Sequence, residues 1–239
     1  MKTSKHQIYL GLTTTRGSNW REKIEEIKSL GLKEIALFPT ALEPGERHEL
    51  YQELAKTTIE YIPFVHLRHD STQEEIDYFK DKYKTRLFNI HANLDSLENF
   101  TQSLDKELIY IENTDRLKKE FFTALADFAG LCLDIAHFED YGILQHDNSY
   151  KDFDRVISNN KIGYCHASTV RDKPYFRHYE YFSSHDDHYS AHLMEKVEDF
   201  DYLKKYRDIL PEIIALEIEN PLKEQLKAKE YVEKIISNL

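Results

Sequence analysis

Cysteine is nearly missing from this chain: two residues in 239, Cys132 and Cys165, each inside an apolar run. Two such thiols cannot frame a disulfide scaffold, and they read as buried packing groups in a reducing cytoplasm. Glycine is also scarce, with seven in all, and no Gly-rich loop follows any strand-like run. That excludes the phosphate-cradling turn of a dinucleotide-binding sheet. No apolar run is long enough to span a bilayer, and the first twelve residues lack the hydrophobic stretch of a signal peptide. The expectation is a soluble, cytoplasmic protein with no membrane partner. Positive charge is the last deficit, since 32 Lys and Arg against 43 Asp and Glu leave a net charge of -11. Such a surface repels nucleic-acid phosphate unless a basic patch or bound metal ions reverse the field locally.

What is present is regular. Hydrophobic residues make up 41% of the chain, enough for a sizeable core. Short apolar strand-like runs over 7–12, 34–38, 61–65, 86–90, 108–111, 130–134, 162–165 and 213–216 alternate with helix-like segments. Asn19 with Glu22, and the run Ser71-Thr72-Gln73-Glu74, read as capping boxes, and Gly31 as a helix end. Further helices are expected near 49–56, 116–128, 149–158, 200–209 and after Pro221, with an amphipathic segment up to Leu104. A long irregular stretch is expected from Ala167 to about Val197. Eight strand–helix alternations without a repeat or linker predict one α/β domain over 1–239, a (β/α)8 TIM barrel.

Enzymes of that architecture carry their chemistry at the C-terminal strand ends. Here strands three to eight end in His66 (or His69), His91, Glu112, Asp134 with His137, His166, and Glu217. Taken singly, each is a satisfied polar group or a solvated turn. Taken together, every one is a metal-ligand type at the depth where strands converge. Asp134 and His137 are three apart, so one turn can aim both at a single point. Asp186 and His188, two apart, face the same way if the chain is extended there. The aromatic run 175–182 nearby reads as a lid, a substrate wall or a small core of its own.

These motifs resemble the endonuclease IV-like and xylose isomerase-like barrel superfamily, which includes the second family of abasic-site endonucleases. The Asp-x-x-His after strand six, the His after strand seven, the Asp-x-His beyond it and Leu216-Glu217 occur in the same order. Residues 189–194 stand where glycines usually follow the Asp-x-His pair. The resemblance implies three zinc ions on nine ligands, with Glu112 bridging two of them. His66 or His69 and His91 would complete the first set, and Asp134, His166 and Glu217 the second. His137, Asp186 and His188 would hold the third. Other members of the superfamily use Glu112, Asp134, His166 and Glu217 as a one-metal set, with the two glutamates as acid and base.

The leading expectation is therefore metal-assisted phosphoester hydrolysis on a small polar or phosphorylated substrate, with two or three zinc ions, manganese or iron being alternatives. Nucleic acid is disfavoured as a partner by the net charge. A one-metal sugar or sugar-phosphate isomerase or epimerase is the second reading, with Glu112 and Glu217 moving the proton. A binding protein that keeps the barrel without turnover is the third.

Overall fold

Successive side chains of a strand point to opposite faces, and in a closed sheet those faces become an interior and an outer wall. A computed structural model describes residues 6–14, 18–92, 105–175 and 188–237. In chain order the strands are β1 (Gln7–Tyr9), β2 (Gly11–Thr13), β3 (Ala36–Phe38), β4 (Phe64–His66), β5 (Leu87–His91), β6 (Ile109–Glu112), β7 (Gly130–Asp134), β8 (Ile162–Ala167), β9 (Thr169–Tyr175), β10 (His188–Ala191) and β11 (Ile213–Leu216). Nine of them join in the order β1-β11-β8-β7-β6-β5-β4-β3-β2. All these pairings are parallel. β1 and β2 are halves of one strand split at Leu10: the first half pairs with β11, the second with β3. The sheet thereby nearly closes, giving a barrel of the TIM type.

The outer wall is aliphatic. Leu131, Leu133, Ile90 and Ile111 face helices α1 (Trp20–Leu30), α2 (Pro44–Leu54), α3 (Gln73–Tyr83) and the later helices Lys119–Asp127, Phe153–Asn159 and Leu222–Ile236 through one buried cluster. Ile24 and Ile27, Leu50 and Leu54, Ile76 and Phe79, and Val232 and Ile236 recur at helical spacing and supply the other side. Burying each such side chain stabilises the fold by about 1.5–3 kcal/mol. The interior is a second cluster: Tyr9, Ala36, Phe38, Phe64, Tyr110, Cys132, Tyr164 and Ala215.

The seam needs a side chain to close it. At Gly11 a Cβ would meet the Leu216 carbonyl oxygen at 2.2 Å, so only glycine lets the backbones approach this closely. Gln225, fully buried on the last helix, accepts from Gly11 N at 2.8 Å and donates to the carbonyls of Gly11, Ile218 and Asn220 at 3.0 Å. One amide thus satisfies backbone groups of Gly11 in the split first strand and of the segment that follows β11.

Several local expectations are corrected. Gly31 does end α1 in the left-handed conformation, at φ 62. Asn19, however, makes no side-chain cap: its amide donates to Glu22 Oε1 at 2.8 Å instead. The box before α3 is Thr72 with Glu75, one residue later than read, because Ser71 Oγ is taken by Arg68 N. The helix expected from 149 is a 3₁₀ turn, Asn148–Tyr150, followed by Phe153–Asn159, and the one near 200–209 is a 3₁₀ helix, Val197–Lys205. In the stretch after β8, expected to be irregular, the described residues include the antiparallel pair β9 and β10. The segments 93–104 and 176–187, with most of the aromatic run and Asp186, lie outside the described residues. No helix among the described residues is long and apolar enough to cross a membrane.

Candidate metal centre

Period-two alternation carries the interior of the barrel upward to its mouth. Phe64 lies below His66, Asn89 below His91, Tyr110 below Glu112, Cys132 below Asp134, Tyr164 below His166 and Ala215 below Glu217. The lower partner is aromatic, small or uncharged. The upper one is an imidazole or a carboxylate.

His66 fixes the first group. Its Nδ1 lies 2.8 Å from the Leu67 carbonyl, which can only accept, so Nδ1 carries the proton. Nε2 then faces Glu112 Oε2 at 3.0 Å and His91 Nε2 at 3.2 Å, while His91 Nε2 is 3.2 Å from Glu112 Oε1. Donors sharing one zinc at bonds of ~2.0–2.1 Å in a tetrahedron stand about 3.4 Å apart. His66, His91 and Glu112 are close to that spacing, so the residues fit a cation.

The second group is deeper. His166 Nδ1 lies 3.4 Å from Glu217 Oε2 and 3.5 Å from Glu112 Oε2. Asp134, His166 and Glu217 offer ligand atoms all within 4.8 Å of one another. His166 Nδ1 and Asp134 Oδ2 are both buried and make no hydrogen bond among the described residues. Their opposite groups, Glu217 and Glu112 for the ring and His137 Nδ1 at 3.3 Å for the carboxylate, are in ion-pair range only, and a buried polar atom without a full hydrogen bond costs about 1–3 kcal/mol. A cation among these atoms would remove that cost, and this donor set fits one.

His137 lies against both groups, sharing a further one with Glu112 and Asp134. Asp134 Oδ1 accepts from His137 N at 2.8 Å and so caps the short turn that follows β7. Nδ1 of His137 faces the Asn113 carbonyl at 3.1 Å and Asp134 Oδ2 at 3.3 Å, two acceptors that keep the proton on that nitrogen. The chain continues as a π-helical turn, Phe138–Leu144. Its Tyr141 hydroxyl lies 2.8 Å from His188 Nδ1, and the Tyr141 ring stands 5.9 Å from that of His137 and 5.8 Å from that of His188. Asp186, expected beside them, falls outside the described residues. His69 is exposed on the turn after β4 and belongs to none of these groups, so His66 is the member of the pair that joins the centre.

Charge in the centre is mutually adjusted. Burial pushes Glu112 up, but His91, His166 and His66 outweigh it and hold the carboxyl well below its usual range. Burial likewise opposes Glu217, yet His192 and His166 bring it down to about 2. Asp134 goes the other way, raised by burial and then by Glu217 and Glu112 despite His137. Burial pulls His166 down, and Cys132 and Glu112 more than reverse it. Glu112 and Glu217 thus lean on neighbouring imidazoles while Asp134 does not, and bound cations would take over that role for all three.

Five contributors escaped the sequence reading. Asn89 Nδ2 donates to Glu112 Oε2 and its Oδ1 accepts from Tyr164 Oη at 2.6 Å, which locks the carboxylate from below. Asn113 bonds both the N–H and the carbonyl of Asp134, at 2.9 and 2.8 Å. His192 donates Nδ1–H to the Glu217 carbonyl at 2.9 Å. Asp140, fully buried in the π turn, accepts from Tyr189 N, Ser190 N and Ser190 Oγ at 3.1, 2.8 and 2.7 Å and so ties down β10. Cys132, buried as expected, also has its sulfur 3.4 Å from His166 Nε2. A signal existed for Asn89 and Cys132: each sits two residues before a ligand type, on the same strand face.

The centre opens beside a cavity of about 150 Å³ lined by Thr40, His66, Leu67, Arg68, His69, Ile90 and His91. A larger cleft of about 860 Å³ lies between α1 and the segment around Glu219 and Pro221. It holds none of the ligand groups, so the smaller cavity is the relevant one.

No family model matches this chain, and no curated protein does. Among solved structures, a crystal structure of an uncharacterized B. cereus protein aligns with 98% of this chain at 10% identity and a TM-score of 0.38. This chain spans 65% of the length of that one.

Proposed function

We propose that this chain is a divalent-metal-dependent phosphoester hydrolase on a barrel of the endonuclease IV-like kind. The carrying observation is the double membership of Glu112, which faces His66 and His91 with its two oxygens and also reaches His166 at 3.5 Å. A one-metal site has no need of two imidazoles on the far side of that carboxylate. Glu112 would hold one ion with His66 and His91, and share a second held by Asp134, His166 and Glu217. Zinc suits this imidazole and carboxylate set, with manganese or iron as alternatives. Such ions would polarise the phosphoryl oxygens, acidify a water and stabilise the leaving oxygen.

The chain's own residues do the positioning. Asn89 keeps the Glu112 carboxylate in one rotamer, so both oxygens stay aimed. The Leu67 carbonyl holds the His66 tautomer that leaves Nε2 available. His91, with about 45% of its side chain exposed, stands at the rim where a substrate arrives. The adjoining cavity is lined by Thr40, Arg68 and His69 and by no carboxylate. In a chain of net charge -11, that lining favours an anionic group on a small substrate.

The test counts ions per chain and then offers a generic phosphodiester, a phosphomonoester and a panel of ketoses with zinc and with manganese. Two or three ions with phosphoester cleavage support the proposal. One ion with ketose turnover would replace it with the isomerase reading. Protein that stays ion-free after reconstitution would leave a binding protein.

A further inference from the structure

Histidines around the mouth share one habit. His66, His137 and His192 each give Nδ1–H to a backbone carbonyl, of Leu67, Asn113 and Glu217 respectively. His166 is turned over. Its Nδ1 faces Glu112 and Glu217 at 3.5 and 3.4 Å without a hydrogen bond among the described residues, and its Nε2 points down to Cys132 Sγ at 3.4 Å. The rest of that surrounding is ring: Phe38, Phe64 and Tyr164 pack around His166 with centroids at 4.9, 5.3 and 5.6 Å. Among the described residues the sulfur is the hydrogen-bonding partner of Nε2.

We infer that Cys132 is a positioning residue: its sulfur accepts the Nε2–H of His166, so the neutral ring presents its Nδ1 lone pair to the space between Glu112, Asp134 and Glu217. Histidine ligands ordinarily give their second N–H to a carboxylate, a backbone carbonyl or water. A carboxylate here would add a fourth negative charge to a buried set that already holds three, and among the described residues no backbone carbonyl bonds Nε2. A thiol orients the ring without charge. Cys132 and Tyr164 are partners across the β7–β8 register, which holds the sulfur beneath the ring.

This inference rests on the proposed ion at Asp134, His166 and Glu217, and its test separates the two. Nitrogen-15 spectra of histidine-labelled protein would be recorded with zinc or cadmium bound, and again ion-free at a pH where the His166 ring is neutral. The expected result is a proton on Nε2 in both, with Nδ1 taking the ion in the first. Cys132→Ala should weaken zinc binding about tenfold or more in chelator competition. Cys132→Ser, whose hydroxyl also accepts, should restore part of that loss and the Nε2–H signal. Cys165→Ala removes an equally buried thiol that bonds the His166 carbonyl instead, and it should leave tautomer and affinity as they were. A proton on Nδ1 of the neutral ring, or wild-type zinc affinity in folded Cys132→Ala, overturns the role of Cys132. Wild-type protein that takes up no ion overturns the hydrolase reading, and the ion-free tautomer still decides for or against Cys132.

Discussion

His66, His91, Glu112, Asp134, His166 and Glu217 stand at or beside the ends of hydrogen-bonded parallel strands, whereas His137 ends the short turn that leads into the π-helical turn and His188 sits on the edge of a hairpin. The inner residues inherit their spacing from the strand register: His91 opposite Glu112, Asp134 opposite His166. Moving one of them means moving a strand with helices packed behind it. The outer pair has no such frame, and its spacing depends on side chains, chiefly Asp140 gripping β10 and Tyr141 standing between the two rings. A site built on register is stiff without further support, and a site built on turns is as stiff as its clamps.

The largest expected effect comes from charge removal at the inner site. Glu112→Gln keeps the shape but takes an anionic oxygen from both inner groups at once. Affinity for both inner ions should fall by a factor on the order of 10–100 or more, with phosphoester turnover falling alongside. Elemental analysis after dialysis reads this directly. Full retention of two ions in that variant would remove Glu112 from its bridging role.

Next is the clamp. Asp140 accepts at both oxygens, three donors from β10 at Oδ2 and Gln145 Nε2 at Oδ1, so Asp140→Asn sets an N–H against at least one of them at a cost of about 1–3 kcal/mol. The outer position should lose its ion while the inner two remain, and the amides of Tyr189 and Ser190 should exchange faster with solvent. His188→Ala should lose the same ion without the added exchange, because the clamp survives. If Asp140→Asn emptied the inner groups as well, the two regions would not be independent.

That difference in construction also sets what the sequence could reveal. Strand ends were legible because alternation and apolar runs fix both the element and the facing of its last residue, so His91, Glu112, Asp134, His166 and Glu217 could be named from pattern alone. His66 and His69 could not be separated, since a strand may stop at either residue; in the fold β4 ends at His66, and the Leu67 carbonyl orients its ring. Asp140 and Asn113 were invisible because their partners lie about 50 and about 21 positions away in the chain. Gln225 was hidden for the same reason, its main partner being Gly11. The hairpin was missed because its β9 strand carries Arg171, Asp172 and Lys173 in succession, which reads as loop.

A pH series separates the two states of the inner site. Without ions, His91, His137 and His166 have pKa values raised in the fold, above the ordinary 6.5. The native state then binds more protons than the unfolded chain above pH 6.5, so stability must fall as pH rises, by up to about 1.4 kcal/mol per pH unit for each such proton. Chelated protein should therefore lose Tm from pH 6.5 upward. With ions bound the imidazoles are already deprotonated, the decline should vanish, and affinity should tighten with pH. A Tm that rises with pH in the chelated protein would contradict the shared-proton picture of the inner carboxylates.

The smallest expected effect is at His69. Spacing alone makes it the equal of His66, and it would be the ligand if the chain ran straight on from β4. Instead it is exposed on the following turn and belongs to no ligand group. His69→Ala should change stability by no more than about 0.5 kcal/mol, the usual range for a surface site. Ion content should stay at the wild-type value, whereas His66→Ala should lose the ion it shares with His91 and Glu112. One consequence remains, because His69 still lines the 150 Å³ cavity beside the centre. If an anionic part of the substrate enters there, His69→Ala should raise KM by about threefold and leave kcat in place, the signature of binding shared by ground and transition states. Loss of an ion in His69→Ala with His66 intact would reverse the assignment, and would mean that the turn after β4 refolds when metal binds.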